Sequence, residues 1–275
     1  MRNTNLSLSR LLACTLLLAL SVGAAAQTLP LERRSSTFGL GYASDYDSYL
    51  SPVSYGGMAL AFDYETWIRS ELFADDVFEQ TYVAGSMADL KNEAGNGAAM
   101  DGYVDVSYAL PYRFLRRSRL ELFAGPVLMA ELGGVYNMRN SNNPAQVKLD
   151  ADLGVTLQAA WHFHLLRNDW RLSWQADVPL VGFFFSPSYQ QSYYEIFYLG
   201  HTDHTMHMST PFNSLSMRQF VRLDLERPNG YVRLQGSYGI NQWHTEGNSY
   251  RHDAFVLSVG YVHFLQFLSP KQAGL

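Results

Sequence analysis

The densest run of chemically active side chains in this sequence is His201-Thr202-Asp203-His204-Thr205-Met206-His207-Met208. Imidazole, carboxylate and thioether donors so close together suit zinc or copper, which makes His201, His204 and His207 the candidate metal ligands. A solvated polar loop has the same composition and is the simpler reading. The run continues into a His-x-Ser triplet, His207-Met208-Ser209. In an extended chain residues two apart share a face, so His207 could activate the Ser209 hydroxyl, with Asp203 or Asn213 orienting the ring. Thr210-Pro211 follow at once, and proline is a frequent strand terminator. A second scatter comprises Asp45, Asp47, His244, His252 and Asp253, joined by no local motif, so ordinary loop polarity is the expectation there. His162 and His164 are expected to join an interior hydrogen-bond network. The segment Tyr189–Tyr198 holds Tyr193, Tyr194, Phe197 and Tyr198, and would either fold over its scaffold as a plug or present a surface to a sugar or protein. No cofactor-binding motif is present, and no cofactor is expected.

The elements that position these residues are strands. From Val147 to Leu165 every odd residue is apolar, while the even ones include Lys148, Asp150, Asp152, Gln158, His162 and His164. Only a strand sends such alternation to two faces; a helix would mix it around its circumference. After Arg167-Asn168-Asp169, a second strand sets Trp170, Leu172, Trp174, Ala176, Val178 and Leu180 against Arg171, Ser173, Gln175 and Asp177. Comparable alternation runs from Met58 to Glu65, Leu120 to Leu132, Leu215 to Glu226 and Val232 to Asn241, with weaker strands at Thr37–Ser44, Phe78–Ala88, Ala99–Tyr108 and Ala254–Phe267. The total is ten, within a range of eight to twelve. Short turns near Tyr112–Arg119, Leu166–Asp169 and Arg227–Gly230 alternate with longer polar loops at Asp45–Ser54, Asp89–Gly97, Asn137–Gln146, Ser186–Phe212 and Gln242–Asp253. Membrane barrels show this asymmetry of short inner turns and long outer loops.

Arg2 and Arg10, the apolar stretch Leu11 to Val22, and Ala24-Ala25-Ala26 together read as a signal peptide over residues 1–26, cleaved before Gln27. Residues 27–275 then form one barrel domain. The single cysteine, Cys14, lies inside the signal, so the mature chain has no thiol for a disulfide or a metal. The balance of 25 acidic and 20 basic residues, with no long basic run, argues against nucleic acid as a partner. Aromatics make up 14% of the chain, a heavy load that suits interfacial belts. Trp67, Tyr108, Trp161, Phe163, Trp170 and Tyr231 are expected at one interface, and Tyr42, Tyr136, Phe184 and Trp243 at the other.

Alternation alone also suits a soluble barrel with an apolar interior. Strand lengths beyond the ~9–11 residues that cross a bilayer, the aromatic placement, and acids and bases sharing one face favour the inverted arrangement. The apolar face then meets outer-membrane lipid. The lumen holds Asp63, Glu65, Asp105, Glu121, Glu131, Asp150, Asp152 and Asp177 facing Arg171, Arg218, Arg222 and Arg233, as a network of ion pairs. A barrel of about ten strands is largely filled by its own side chains.

Signal, alternating strands, unequal loops and a thiol-free mature chain together resemble the small outer-membrane β-barrel proteins of Gram-negative bacteria, closest to members of unknown function. The resemblance implies an all-β, up-and-down transmembrane barrel, insertion by the barrel-assembly machinery, and an outer-membrane location. One departure is the carboxyl end, where Phe264 and Phe267 precede a tail, Leu268–Leu275. The His207–Ser209 triplet is similar to that of outer-membrane phospholipases and lipid A deacylases, and the rim acids and histidines to barrel proteases, without the neighbouring residues of either. The resulting expectation is a non-enzymatic barrel whose outer loops bind an extracellular ligand or serve the envelope structurally. A lipid hydrolase using His207 and Ser209, or a narrow channel, are the alternatives.

Overall fold

The computed structural model describes residues 31–73, 76–140, 143–188, 191–227, 230–245 and 247–266. The predicted signal peptide and carboxyl-terminal tail lie outside them. The strands are β1 (Leu31–Asp47), β2 (Tyr55–Arg69), β3 (Phe78–Asn92), β4 (Ala98–Ala109), β5 (Tyr112–Arg117), β6 (Leu120–Asn137), β7 (Ala145–Leu165), β8 (Asn168–Phe185), β9 (Met206–Ser209), β10 (Ser214–Arg227), β11 (Gly230–Thr245) and β12 (Asn248–Gln266). One short helix, α1 (Tyr193–Phe197), lies between β8 and β9.

Neighbouring strands pair antiparallel, and two pairings close the sheet: β1 with β12, from Leu31↔Gln266 to Asp47↔Tyr250, and β8 with β10, from Asp177↔Arg218 to Trp170↔Leu225. Two of the ten staves are interrupted. β5 continues β4 beyond Leu110-Pro111, and β9 precedes β10 across Thr210–Asn213. Each gap holds a proline, which has no N–H to give the ladder. Closure leaves no unpaired edge, which is what permits a sheet to stand in lipid.

Period-two alternation settles which side chains meet the outside. Along β7, Leu149, Leu153, Leu157 and Trp161 are 43–52% exposed, whereas Lys148, Asp152 and Thr156 are buried within the lumen. Phe38, Leu234 and Val259 meet side by side across β1, β11 and β12, all more than half exposed. The outer wall is apolar and the interior polar, the arrangement of transmembrane barrels.

Three expectations are corrected here. Trp67 and Trp243 face the lumen and are buried, because each shares parity with inward polar residues. Phe184 also turns inward, because a bulge where the β7–β8 register slips between Leu153 and Gly154 shifts β8 by one residue beyond Pro179. Phe183 takes the outward place, 58% exposed. The loop expected over Gln242–Asp253 is mostly ladder, since β11 and β12 pair as far as Thr245↔Asn248. Several strands thus run well past the length a bilayer requires, β7 with 21 residues and β12 with 19.

Val259→Arg should lower stability by about 2–4 kcal/mol through a charge on the lipid face. Val259→Leu should leave it nearly unchanged. Equilibrium unfolding from lipid vesicles measures both.

Candidate functional site in the lumen

At the turn end the lumen is closed by interlocked charges. Arg233 places Nε and Nη2 on the two carboxylate oxygens of Asp224 at 2.8 and 3.0 Å, and Nη1 on Glu65 at 2.8 Å and Ser35 at 3.1 Å. A guanidinium forked onto a carboxylate is among the stronger charged contacts. Arg171 reaches Asp224 at 3.4 Å. One layer up, Arg222 donates to Gln235 (2.8 Å) and Gln175 (2.9 Å), Gln235 to Asp63 (3.2 Å), and Gln175 to Asp177 (2.9 Å). Arg218 binds Asp177 at 3.1 Å and Ser107 at 2.7 Å. Gln80 bridges Glu65 and Gln175 and accepts from Gln158 at 2.8 Å. These side chains come from strands all around the wall, so the network spans the bore.

Above it the charge balance changes. The register sets Asp105, Glu131 and Asp150 side by side on β4, β6 and β7, with Asp152 one lumen position further along β7. Adjacent like charges on a sheet repel. Asn241 donates to both Glu131 (3.1 Å) and Asp150 (3.0 Å), Ser209 donates to Asp152, and Arg218 forms the floor. The four acids, Asn241 and Arg218 line a cavity of about 140 Å³. Its upper wall includes His252, whose Nδ1 lies 2.5 Å from Asp45 and 3.8 Å from Asp101.

The loop end is closed by aromatics and one ion pair. The Tyr103 and Tyr250 hydroxyls lie 2.8 Å apart, Lys148 binds Asp47 (2.8 Å) and Gln146 (2.7 Å), and its ammonium sits 3.6 Å from the Tyr250 ring centroid. Trp243 stacks on Phe184 with centroids 5.2 Å apart. Over this layer lies α1, started by a capping box in which Ser192 and Glu195 bind each other's backbone N–H. The Tyr193 hydroxyl accepts from the Val147 N–H and the Tyr49 hydroxyl donates to the Gln191 carbonyl, both at 2.7 Å, so the helix is tied to β7 and to the β1–β2 loop across the mouth. Burial, with the Asp47 charge second, pushes the Tyr49 hydroxyl up to about 12, so it remains a donor. Hydrogen bonds from Ser192 hold the Glu195 carboxyl below the usual glutamate range.

The placement of the sequence candidates is uneven. Asp63, Glu65, Asp177, Arg171, Arg218, Arg222 and Arg233 all enter the charged network, and Asp150 and Asp152 line the cavity. Glu121 shares the inward parity of β6 but sits at the turn-end rim, binding Arg113 at 3.0 Å and lying 3.5 Å from His162. Asp224, wholly buried, and the glutamines belong to the network but were not among the candidates. Their only sequence signal is parity with Arg222, Arg171 and Arg233.

His207 and Ser209 do not form a dyad. His207 Nε2 donates to the Ser186 carbonyl (3.2 Å) and Nδ1 accepts from Thr245 (3.0 Å), while the Ser209 hydroxyl is committed to Asp152. No imidazole lone pair is left for the serine, and Asp203 stands exposed in the loop. His201, His204 and His207 do not converge. Among the described residues the one group with metal-ligand spacing is Asp45, Asp101 and His252.

A family model described as a protein of unknown function, DUF3316, matches residues 9–272. No curated protein matches the chain in sequence. Among solved structures, the barrel is similar to the outer membrane protease OmpT from Escherichia coli, with a TM-score of 0.50 at 7% identity, covering 87% of this chain and 99% of that one. Neisserial surface protein A aligns with a TM-score of 0.34 at 12% identity, covering 86% of this chain and 97% of the other. The first likeness concerns the fold alone.

Arg233→Met leaves Asp224 and Glu65 buried without their fork, and should cost about 3–5 kcal/mol. Arg251→Met, at the exposed Arg251–Asp253 pair, should cost nothing measurable. Thermal loss of the folded band on a denaturing gel compares them. Ser192→Ala should loosen α1 by about 1 kcal/mol. Because the Glu195 pKa is depressed in the folded state, the stability of the cap is present above the usual glutamate range and fades as pH falls below it. Hydrogen exchange of the α1 amides across pH reads both effects.

Proposed function

The chain belongs to the DUF3316 family of proteins of unknown function, and we propose that it is an outer-membrane barrel, sealed along its axis, that acts through its loop-end surface rather than by catalysis or transport. The observation that carries this reading is the filled lumen. Interlocked arginines, carboxylates and glutamines occupy the turn end, and the Lys148, Trp243 and Tyr250 layer with α1 occupies the loop end. A conducting path would require both barriers to open.

In this reading residues 1–26 are a cleaved export signal, residues 27–275 the barrel, and the barrel-assembly machinery inserts it with the short turns in the periplasm. The apolar wall supports a lipid environment. Catalysis is disfavoured by the state of the candidate groups. The hydroxyl of Ser209 and both nitrogens of His207 are engaged elsewhere, and the Asp45–His252 pair lies beneath the lid, out of reach of a peptide. What the loop end offers is aromatic surface: Tyr194, Phe197, Tyr198 and Phe212 are 59–99% exposed. Side chains of this kind supply contact area in recognition of sugar or protein.

Membrane fractionation should recover the protein in the outer membrane, with faster gel migration unheated than boiled. Reconstituted into a planar bilayer, it should give no steady single-channel current. Regular current steps from the unmodified protein would overturn the sealed reading, and soluble recovery would overturn the membrane reading.

A further inference from the structure

The loop end holds one cluster that the sealed-barrel reading leaves without a purpose. Asp45 and His252 are direct cross-strand partners on β1 and β12, and Asp101 reaches the same point from β4. One ligand atom from each lies within 4.8 Å of the others. Asp45 and Asp101 are only 2% and 6% exposed, yet the Oδ2 atom of each is buried and accepts no hydrogen bond. Two carboxylates facing one another out of water repel strongly unless a positive charge lies between them. The nearest lysine cannot supply it, since Lys148 spends its ammonium on Asp47, Gln146 and the Tyr250 ring. Arg218 lies below, held by Asp177 and Ser107. Apart from the His252 ring itself, which faces both acids through Nδ1, that leaves a bound cation or a proton shared by the acids.

We infer that Asp45, Asp101 and His252 form a binding site for a divalent transition metal, with zinc the best fit. Two carboxylate oxygens and one imidazole nitrogen are the donor set that zinc accepts as three protein ligands with an open fourth position. Imidazole disfavours magnesium and calcium, which take oxygen donors. The metal takes the place of the Nδ1 proton that His252 now donates to Asp45; the ring remains neutral with one proton on Nε2, and any second proton it carried leaves to solvent. Zinc bonds of ~2.0–2.2 Å require the His252–Asp45 contact at 2.5 Å to open and Asp101, at 3.8 Å, to draw in. Asp45 also borders a small hollow with Asp47 and Asn137, and His252 borders the acidic cavity. Bound there, the metal ties the β1–β12 pair to β4 across the lumen, so the barrel with metal should resist heat better than without it.

The test uses the full mature chain in detergent, stripped with chelator, equilibrated with zinc chloride in excess magnesium, desalted and analysed for metal. About one zinc per chain is expected, together with a higher temperature for the gel-mobility transition than in chelator. His252→Ala and Asp101→Asn should each weaken zinc retention at least about tenfold. The triple variant His201→Ala/His204→Ala/His207→Ala should retain zinc like the parent. Asp101→Asn is nearly isosteric and carries the test if His252→Ala does not fold. The inference is overturned if the parent retains no more zinc than Asp101→Asn, which would mean a proton on His252 or between the acids, or if zinc is lost with the loop histidines instead. Neither result depends on whether the barrel conducts.

Discussion

The fork of Arg233 onto Asp224, with its remaining nitrogen on Glu65, joins β11, β10 and β2 through the bore of the barrel. Much else is arranged around the requirement it meets. Ten strands enclose a lumen too narrow to hydrate each ionised group freely, so every charge that alternation sends inward must find a counter-charge or a fixed dipole there. The glutamines at 80, 158, 175 and 235 make this possible without adding charge. Each can donate and accept, so they pass hydrogen bonds from an arginine on one side to a carboxylate on another. Removing one arginine therefore exposes several partners, and the cost belongs to the network rather than to a single pair.

Charge is not evenly distributed along the axis. Arginines and carboxylates match one another at the turn end, whereas the next layer sets Asp105, Glu131, Asp150 and Asp152 around a cavity with Arg218 as floor and Asn241 as donor. Higher still, Asp45 and Asp101 meet His252. Lumen charge is thus paired toward the turns and in acidic excess toward the loops, beneath an aromatic and helical cover. A merely structural filling has no need of such an imbalance. A resident cation resolves it where the unpaired oxygens lie.

The fold and the chemistry part company here. The barrel covers nearly the whole of a protease of known structure, yet His207 and Ser209, the hydrolytic pair the sequence suggested, are each bonded elsewhere. Function on this scaffold rests on which side chains fill the bore and which cover its mouth.

Alternation in the sequence determined the strand content, the apolar outer wall and the polar bore, because side-chain direction in a strand depends only on residue parity. It therefore placed Asp63, Glu65, Arg222 and Arg233 in the lumen with no knowledge of their partners. Parity also marks Trp67 and Trp243 as inward, against the pull of an expected aromatic belt. Tertiary structure alone decided the rest. The slip at Pro179 exchanged the faces of Phe183 and Phe184, and a bulge leaves no mark in periodicity until the register is known. Closure of the sheet decided which charges meet, since Arg233 and Glu65 are 168 residues apart in the chain. The crowded histidines at 201, 204 and 207 drew attention through proximity in sequence. Asp45, Asp101 and His252, spread over the length of the chain, became neighbours only when β12 paired with β1 and β4 came to face them across the bore.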